Sequence, residues 1–205
     1  MATLRERKKQ ATREALRAAA LRLALERGPQ NVRVDDIAEA AGVSPRTYNN
    51  YFSSREHAIV AAVTAERAAR VAVAVAARPA EVSLADAVID AVVGQYTEPG
   101  SHARDALLMI TTNPALRECY VDTVATIEDP LAEAITARRP GTSELDAHVL
   151  AASVGAAAKV ALRQWLRSTD RPASMKGFVV ASGSLPDLMR SALRPLVPAL
   201  NAAAP

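Results

Sequence analysis

Residues 46–51 carry side chains that suit the recognition of double-stranded DNA. An arginine such as Arg46 can bond O6 and N7 of guanine, and an asparagine can bond N6 and N7 of adenine. On a helix, Arg46 and Asn50 point to the same side with Asn49 beside them, because residues four apart are neighbours. The hydroxyl groups of Thr47 and Tyr51 suit phosphate oxygens, which set the register on DNA. The pattern predicts base readout by this segment; a frayed helix end without a partner is the alternative.

The residues around this segment have the spacing of a helix-turn-helix. Apolar positions 34, 37, 38 and 41 predict a short amphipathic helix that Gly42 ends. Ser44 followed by Pro45 is a typical N-cap with proline in the first helical position. Pro45, Tyr48 and Phe52 should form an inward stripe on the second helix. We therefore expect a helix-turn-helix over about residues 34–52, with its second helix suited to the major groove.

Positive charge is concentrated at the start of the chain. The net charge is +3, but residues 1–59 contain eleven Lys and Arg against seven Asp and Glu, and the remainder contains fourteen against fifteen. Five of these cations precede or open a helix predicted over about residues 11–27: Arg5, Arg7, Lys8, Lys9 and Arg13. A basic arm over residues 1–10 favours a polyanionic partner, and a solvated, disordered N-terminus is the alternative.

Helical periodicity continues through the rest of the chain, without a convincing strand. Further helices are predicted at about 54–78, 83–96, 102–112, 114–138, 144–168 and 184–200, with Pro130 kinking or splitting the fourth of these. Residues 169–183 should form a loop. The expected fold is all-α, with a DNA-binding domain over residues 1–53 and a larger helical domain over residues 54–205.

Other kinds of chemistry find little support in the sequence. The single Cys119 has no partner for an internal disulfide, which favours a reducing cytoplasm. The three histidines do not have metal-ligand spacing, and neither a phosphate-binding loop nor a dinucleotide fingerprint occurs. We expect no metal, no cofactor and no enzymatic activity. The alanine and valine runs are interrupted by charges, so no membrane span is expected.

The run VDDIAEAAGVSPRTYNNYFSSREHAI resembles the DNA-binding signature of the tetracycline-repressor (TetR) family of bacterial transcriptional regulators. The resemblance covers about residues 10–60. Its matching positions are Asp36, Ile37, Ala38, Ala41, Gly42, Val43, Ser44, Thr47, Tyr51, Phe52, Ser54 and Glu56.

Several positions depart from the family pattern. Ala24 replaces a usual aromatic residue, and Arg33 replaces a usual Ser or Thr cap. Asn49 stands where a tyrosine is common, and Tyr48 where Leu or Phe is usual. Arg55 stands where lysine is usual. The resemblance implies DNA contacts from this segment and its flanks, but it does not predict the operator sequence. The expected contacts are Arg33, Ser44, Arg46, Thr47, Asn49, Asn50, Tyr51 and Arg55.

The resemblance also implies that the chain beyond about residue 60 binds a small molecule and forms a homodimer through the last two helices. Small residues within 144–168 and the apolar face of 184–200 suit close helix packing, either within one monomer or between two. A mostly apolar pocket would favour a lipophilic effector. Candidate effector contacts, each with an ordinary core or surface role as the alternative, are Tyr96, Met109, Tyr120, Thr123, Lys159 and Trp165.

Together these observations predict a cytoplasmic, dimeric regulator of transcription, more specifically a repressor that an effector releases from a palindromic operator. A helical carrier or enzyme with a vestigial DNA-binding head is the alternative from another class. An activator of the same fold is a further alternative.

Overall fold

A computed structural model of the chain describes residues 3–97, 100–123, 128–169 and 184–202. Within them every regular element is helical, which confirms the all-α prediction. The α-helices are α1 (Leu4–Arg27), α2 (Val34–Ala40), α3 (Pro45–Asn49), α4 (Arg55–Ala77), α5 (Leu84–Thr97), α6 (Gly100–Thr112), α7 (Pro114–Thr123), α8 (Glu128–Arg138), α9 (Glu144–Thr169), α10 (Leu185–Leu193) and α11 (Val197–Asn201).

The chain forms two compact units. The first unit comprises residues 1–65 and 100–123, and the second comprises residues 66–99 and 124–205. In the first unit, α1 packs against α2 and α6, α2 packs against α3, and α6 packs against α7. In the second, α9 packs against α8 and α10, while α5 packs against α10 and α11. The functional boundary expected at residue 53 stays a prediction.

The first helix begins earlier than the sequence analysis predicts. Thr3 caps α1, because its hydroxyl accepts the Glu6 N–H while the Glu6 carboxylate accepts the Thr3 N–H at 2.7 Å. This reciprocal capping box satisfies backbone donors that a helix end leaves open. The first helix predicted to begin at about residue 11 is therefore wrong in its start, because residues 4–10 are the first two turns of α1. The binding role expected of the basic arm over residues 1–10 stays a prediction.

Prolines divide the C-terminal part of the chain. The single helix predicted at 184–200 is wrong, since α10 ends at Leu193 and a 3₁₀ turn over Arg194–Leu196 precedes α11. Pro195 and Pro198 lack the N–H groups that a continuous helix needs. Pro130 lies in the first turn of α8, where proline is tolerated. Residues 124–127, where the predicted helix 114–138 would continue, and most of the predicted loop 169–183 lie outside the described residues.

Helix α9 uses its small residues inside the second unit. Ala151, Gly155 and Ala158 are buried, and Ala156 is exposed. By length and composition alone, Glu144–Arg167 could cross a membrane, with a mean hydropathy of 1.4. In the structure this helix packs against α8 and α10, as a core helix of the same composition does in a globular domain.

Candidate DNA-binding site

The turn between α2 and α3 is fixed by backbone hydrogen bonds. Gly42 has φ +68°, in the left-handed region that side chains disfavour. Its N–H bonds the Glu39 carbonyl at 3.0 Å, and the Val43 N–H bonds the Ala38 carbonyl at 2.9 Å. This pair of bonds is the Schellman motif, which closes the end of α2. The glycine predicted to end α2 is thus required by the backbone conformation.

Helix α3 starts at the predicted cap. The Ser44 hydroxyl accepts the Thr47 N–H at 3.1 Å, and the two hydroxyl groups lie 2.9 Å apart. Pro45 occupies the first helical position. The cap therefore also orients the Thr47 hydroxyl, which was predicted to contact phosphate.

The inner face of α3 is held by two aromatic side chains. Tyr48 and Phe52 are buried, with ring centroids 5.9 Å apart. The Tyr48 hydroxyl donates to the Ser54 carbonyl at 2.8 Å. Burial, and to a smaller extent the charge of Glu56, raises the pKa of Tyr48 to about 12. On the outer side of Phe52, the Arg13 guanidinium lies 5.8 Å from the ring centroid, which ties α1 to the end of α3.

The outer face of α3 carries the predicted base-reading groups. Arg46, Asn49 and Asn50 are exposed, and none of them forms a side-chain hydrogen bond within the described part of the chain. Thr47 and Tyr51 are half-buried at the sides. Three of these side chains are therefore fully exposed and the other two lie at the edge of the same surface, as their spacing predicts.

Two details of the helix differ from the prediction. Pro45 is exposed, so it is not part of the inward stripe. The helix itself ends at Asn49, because the N–H groups of Asn50 and Tyr51 bond carbonyls three residues back, at 3.1 and 2.8 Å. These tighter bonds end the regular helix one residue before the position that the ideal phasing assumed for Asn50.

Arg55 binds the loop before α2. Its Nη1 donates to the carbonyls of Gln30 and Val32 at 3.1 and 2.9 Å, and its Nε lies 2.7 Å from a Glu56 carboxylate oxygen. Burial alone would raise the pKa of Glu56, but hydrogen bonds, first among them that from Arg55, hold this pKa below its ordinary value. The phosphate contact expected from Arg55 stays a prediction, and the sequence analysis missed its loop contacts.

Arg33 flanks the start of α2. Its backbone N–H donates to Asp36 Oδ2 at 2.9 Å, so the first turn of α2 is tied to the residue that stands where the family pattern has Ser or Thr. The Arg33 side chain is exposed. A phosphate contact from this side chain therefore remains compatible with the fold and stays a prediction.

The predicted effector contacts belong to different units. Met109, Tyr120 and Thr123 lie in α6 and α7 of the first unit, where Tyr120 is buried and the Thr123 hydroxyl donates to the Cys119 carbonyl. The other three candidates lie in the second unit: Tyr96, Lys159 and Trp165.

Within the second unit, Tyr96 has a partner that the sequence analysis did not find. Its hydroxyl accepts a bond from the buried Arg67 at 2.8 Å, and the Arg67 guanidinium lies 4.5 Å from the tyrosine ring centroid. Lys159 and Trp165, six residues apart, lie about 120° apart around α9. Their assignment to one pocket therefore stays a prediction.

Comparisons with known proteins match two parts of the chain to family models. Residues 16–63 match the family model described as "Bacterial regulatory proteins, tetR family", and residues 78–201 match that of the "MftR C-terminal domain". The chain is 32% identical over 206 residues to the HTH-type transcriptional regulator TcmR of Streptomyces glaucescens, covering 94% of this chain and 91% of that protein.

Solved structures with similar folds include a FadR from Thermus thermophilus, a TetR-family repressor in complex with lauroyl-CoA, at 22% identity and a TM-score of 0.46. The alignment covers 94% of this chain and 98% of that one. A putative transcriptional regulator from Rhodococcus sp. RHA1 aligns at 21% identity with a TM-score of 0.45, covering 93% and 98% of the two chains.

Proposed function

This chain belongs to the TetR family of bacterial DNA-binding transcriptional regulators, and we propose that it is a homodimeric repressor which a small lipophilic effector releases from a palindromic operator. The observation that carries the proposal is the exposed set Arg46, Asn49 and Asn50, of which the first two lie on α3 and the third directly follows it, while Tyr48 and Phe52 are buried. Protein surfaces with free Arg and Asn side chains on a packed helix suit the edges of base pairs in the major groove. Such a regulator acts in the cytoplasm, where the DNA is.

Each polar group on this surface has a role that fits its surroundings. Arg46 and Asn50 are free to bond base edges, since neither has an intramolecular partner in the described residues. Thr47 and Tyr51, half-buried beside them, are placed for phosphate oxygens, as is the exposed Arg33. Ser44 positions this set by capping α3.

The dimer contact is proposed on the outer face of α9 together with α10. The apolar side chains Leu145, Val149 and Val160 are 73, 55 and 60% exposed, and their spacing puts them within about 60° around the helix. By contrast, Leu185, Met189 and Leu193 of α10 are buried within the monomer. A twofold dimer through this face would present two reading helices to the two half-sites of a palindrome.

The effector is proposed to bind within the C-terminal helical part of the chain and to favour a dimer whose reading helices no longer match the half-site spacing. Effector and DNA then weaken each other's binding by the same factor, since their coupling is reciprocal. Thermal shift and DNA release with a panel of lipophilic compounds would test this step. A compound that raises the melting temperature without releasing DNA would contradict it.

The test of the DNA-binding role is selection of bound fragments from the source genome, followed by titration of the recovered duplex. Arg46→Ala and Asn50→Ala should each weaken binding at least about tenfold, because a good bidentate base contact contributes about 1–3 kcal/mol. Arg104→Ala removes the same side chain from an exposed position on α6, outside the helices proposed to form the dimer, and serves as the matched control. Absence of wild-type binding at moderate salt, or full binding by both variants, would favour a carrier or enzyme with a vestigial head.

The repressor role needs a separate measurement. A reporter gene placed behind the recovered operator should be expressed less when the wild-type protein is present, and Asn50→Ala should restore its expression. Increased expression with the wild type would show an activator of the same fold.

A further inference from the structure

Helix α1 projects a cationic segment beyond the body of the first unit. All residues from 3 to 11 are exposed, and the first buried residue of α1 is Leu16. With a rise of 1.5 Å per residue, Arg5 lies about 16 Å along the helix from Leu16. This distance corresponds to roughly five base pairs of duplex DNA.

The cations on this segment are arranged by helical phase. Residues four apart advance about 40° around a helix, so Arg5, Lys9 and Arg13 form one continuous stripe. By the same arithmetic, the buried residues Leu16 and Ala20 lie on the same side of α1. The face of α1 that packs on the unit thus continues as a positively charged face in the projecting segment.

The carboxylates of the same segment are bonded elsewhere. The Glu6 carboxylate accepts bonds from the backbone and hydroxyl of Thr3, and these bonds, with the nearby Lys9, lower its pKa. Glu14 accepts a bond from Gln10 at 2.9 Å. Within the described residues, neither Arg5 nor Lys9 forms an ion pair. The stripe is therefore available to an external anion.

The stripe is also continuous with the reading helix. The Arg13 guanidinium, at its inner end, lies 5.8 Å from the ring centroid of Phe52, and Phe52 lies three residues after the end of α3. We propose that the Arg5–Lys9–Arg13 stripe of α1 binds the phosphates of the duplex flanking each half-site. In this role α1 is a rigid helical extension of the reading head, by which we mean the helix-turn-helix of α2 and α3 with the residues that pack on it. The proposal rests on the DNA-binding function proposed above and extends its footprint outwards from the bases that α3 reads.

The experiment compares substitutions of Arg7 and Lys9, which are two residues apart in sequence but lie about 160° apart around α1. Lys9→Ala removes a cation from the stripe, and Arg7→Ala removes one from the other side of the helix. Alanine favours helix formation, so circular dichroism should show the helix content of the wild type in both variants. Lys9→Arg serves as the charge-conserving rescue. The probes are the duplex recovered by genomic selection and versions trimmed by one to six base pairs at each end.

Lys9→Ala should lower the slope of log K against log salt by about 1.8, because a dimer loses two phosphate contacts at about 0.9 each. Between 50 and 200 mM salt, wild-type binding should therefore weaken about twelvefold more than that of the variant. Lys9→Ala should also reduce the hydroxyl-radical protection of the flanks of the footprint, while Lys9→Arg and Arg7→Ala keep it. Trimming the flanks should weaken the wild type more than Lys9→Ala, because only Arg5 and Arg13 of the stripe remain in the variant.

Equal effects of Lys9→Ala and Arg7→Ala would overturn the stripe, because general charge attraction does not depend on the side of the helix. Wild-type binding that is insensitive to flank length would overturn it as well. Both results require that the wild type binds the selected duplex. Absence of that binding would instead refute the proposed DNA-binding function itself.

Discussion

Arg55→Ala should destabilise the first unit, because the Arg55 side chain binds the backbone of the loop before α2. The side chain donates to the carbonyls of Gln30 and Val32 at 3.1 and 2.9 Å, and Val32 is fully buried. A hydrogen bond from a charged donor contributes about 1.5–3 kcal/mol, and the partial exposure of Arg55 places each of these two bonds near or below the lower end. We expect a loss of about 2–3 kcal/mol in the free energy of unfolding. For a chain of this size the melting temperature falls by roughly 4–12 °C.

The assay combines urea and thermal unfolding with DNA titrations between 50 and 200 mM salt at a temperature where the variant is folded. The salt slope should equal that of the wild type if the guanidinium binds the loop and not phosphate. Arg55→Lys keeps the charge but lacks the planar fork that reaches the two carbonyls and Glu56 at once. It should therefore recover only part of the lost stability.

Arg46→Ala is the matched control, since Arg46 is exposed and makes no side-chain hydrogen bond within the described residues. Its stability should stay within about 0.5 kcal/mol of the wild type while DNA binding is lost. The reasoning would be refuted if Arg55→Ala unfolded like the wild type. A salt slope lowered by about 1.8 per dimer at unchanged stability would show that Arg55 contacts phosphate, as the family resemblance implies.

Three further substitutions test other parts of the structure. Gly42→Ala should lower the free energy of unfolding by about 1–2 kcal/mol, because Gly42 has a φ of +68° that side chains disfavour. Crowding adds nothing to this cost, since an added Cβ meets no atom within 4 Å. Urea unfolding measures the loss, and an unchanged midpoint would contradict it. Tyr48→Phe removes the hydrogen bond to the Ser54 carbonyl, so the free energy of unfolding near pH 7 should fall by about 1 kcal/mol. Because burial raises the pKa of Tyr48 to about 12, the stability that this one group contributes is fully present below about pH 10 and is lost as the pH rises towards 12. Melting curves of Tyr48→Phe should not show this loss. Arg138 donates to four backbone carbonyls between residues 75 and 82, at 2.6–3.4 Å. Arg138→Ala should therefore lower the stability of the second unit by about 3 kcal/mol, and a fall in melting temperature of less than about 2 °C would contradict this role.

The helix-turn-helix was predictable because local rules determine it. A serine N-cap followed by proline, and a glycine at a position of positive φ, act on backbone groups within a few residues of themselves. The start of α1 obeys the same kind of rule, since Thr3 and Glu6 form a capping box. That signal was present in the sequence, but the density of positive charge favoured a flexible arm in the prediction.

Contacts between residues far apart in sequence could not be predicted in this way. Arg55 binds carbonyls 25 and 23 residues away, and Arg138 binds carbonyls 56 to 63 residues away. Carbonyl acceptors occur at every residue, so no pattern of side chains marks the ones that a distant arginine will reach. For the same reason, the partner of Tyr96 was not evident from its sequence neighbours.

The reading head separates the residues that hold it together from those that can read DNA. Tyr48 bonds a backbone carbonyl and packs on Phe52, and Arg55 bonds two more carbonyls. Arg46 and Asn50 form no such bonds within the described residues. Substitutions on the outer face can therefore change the preferred bases at little cost to the fold, whereas changes on the inner face destabilise the head itself. This separation explains why the family pattern matches the turn and the buried Phe52 of this chain but does not fix its operator.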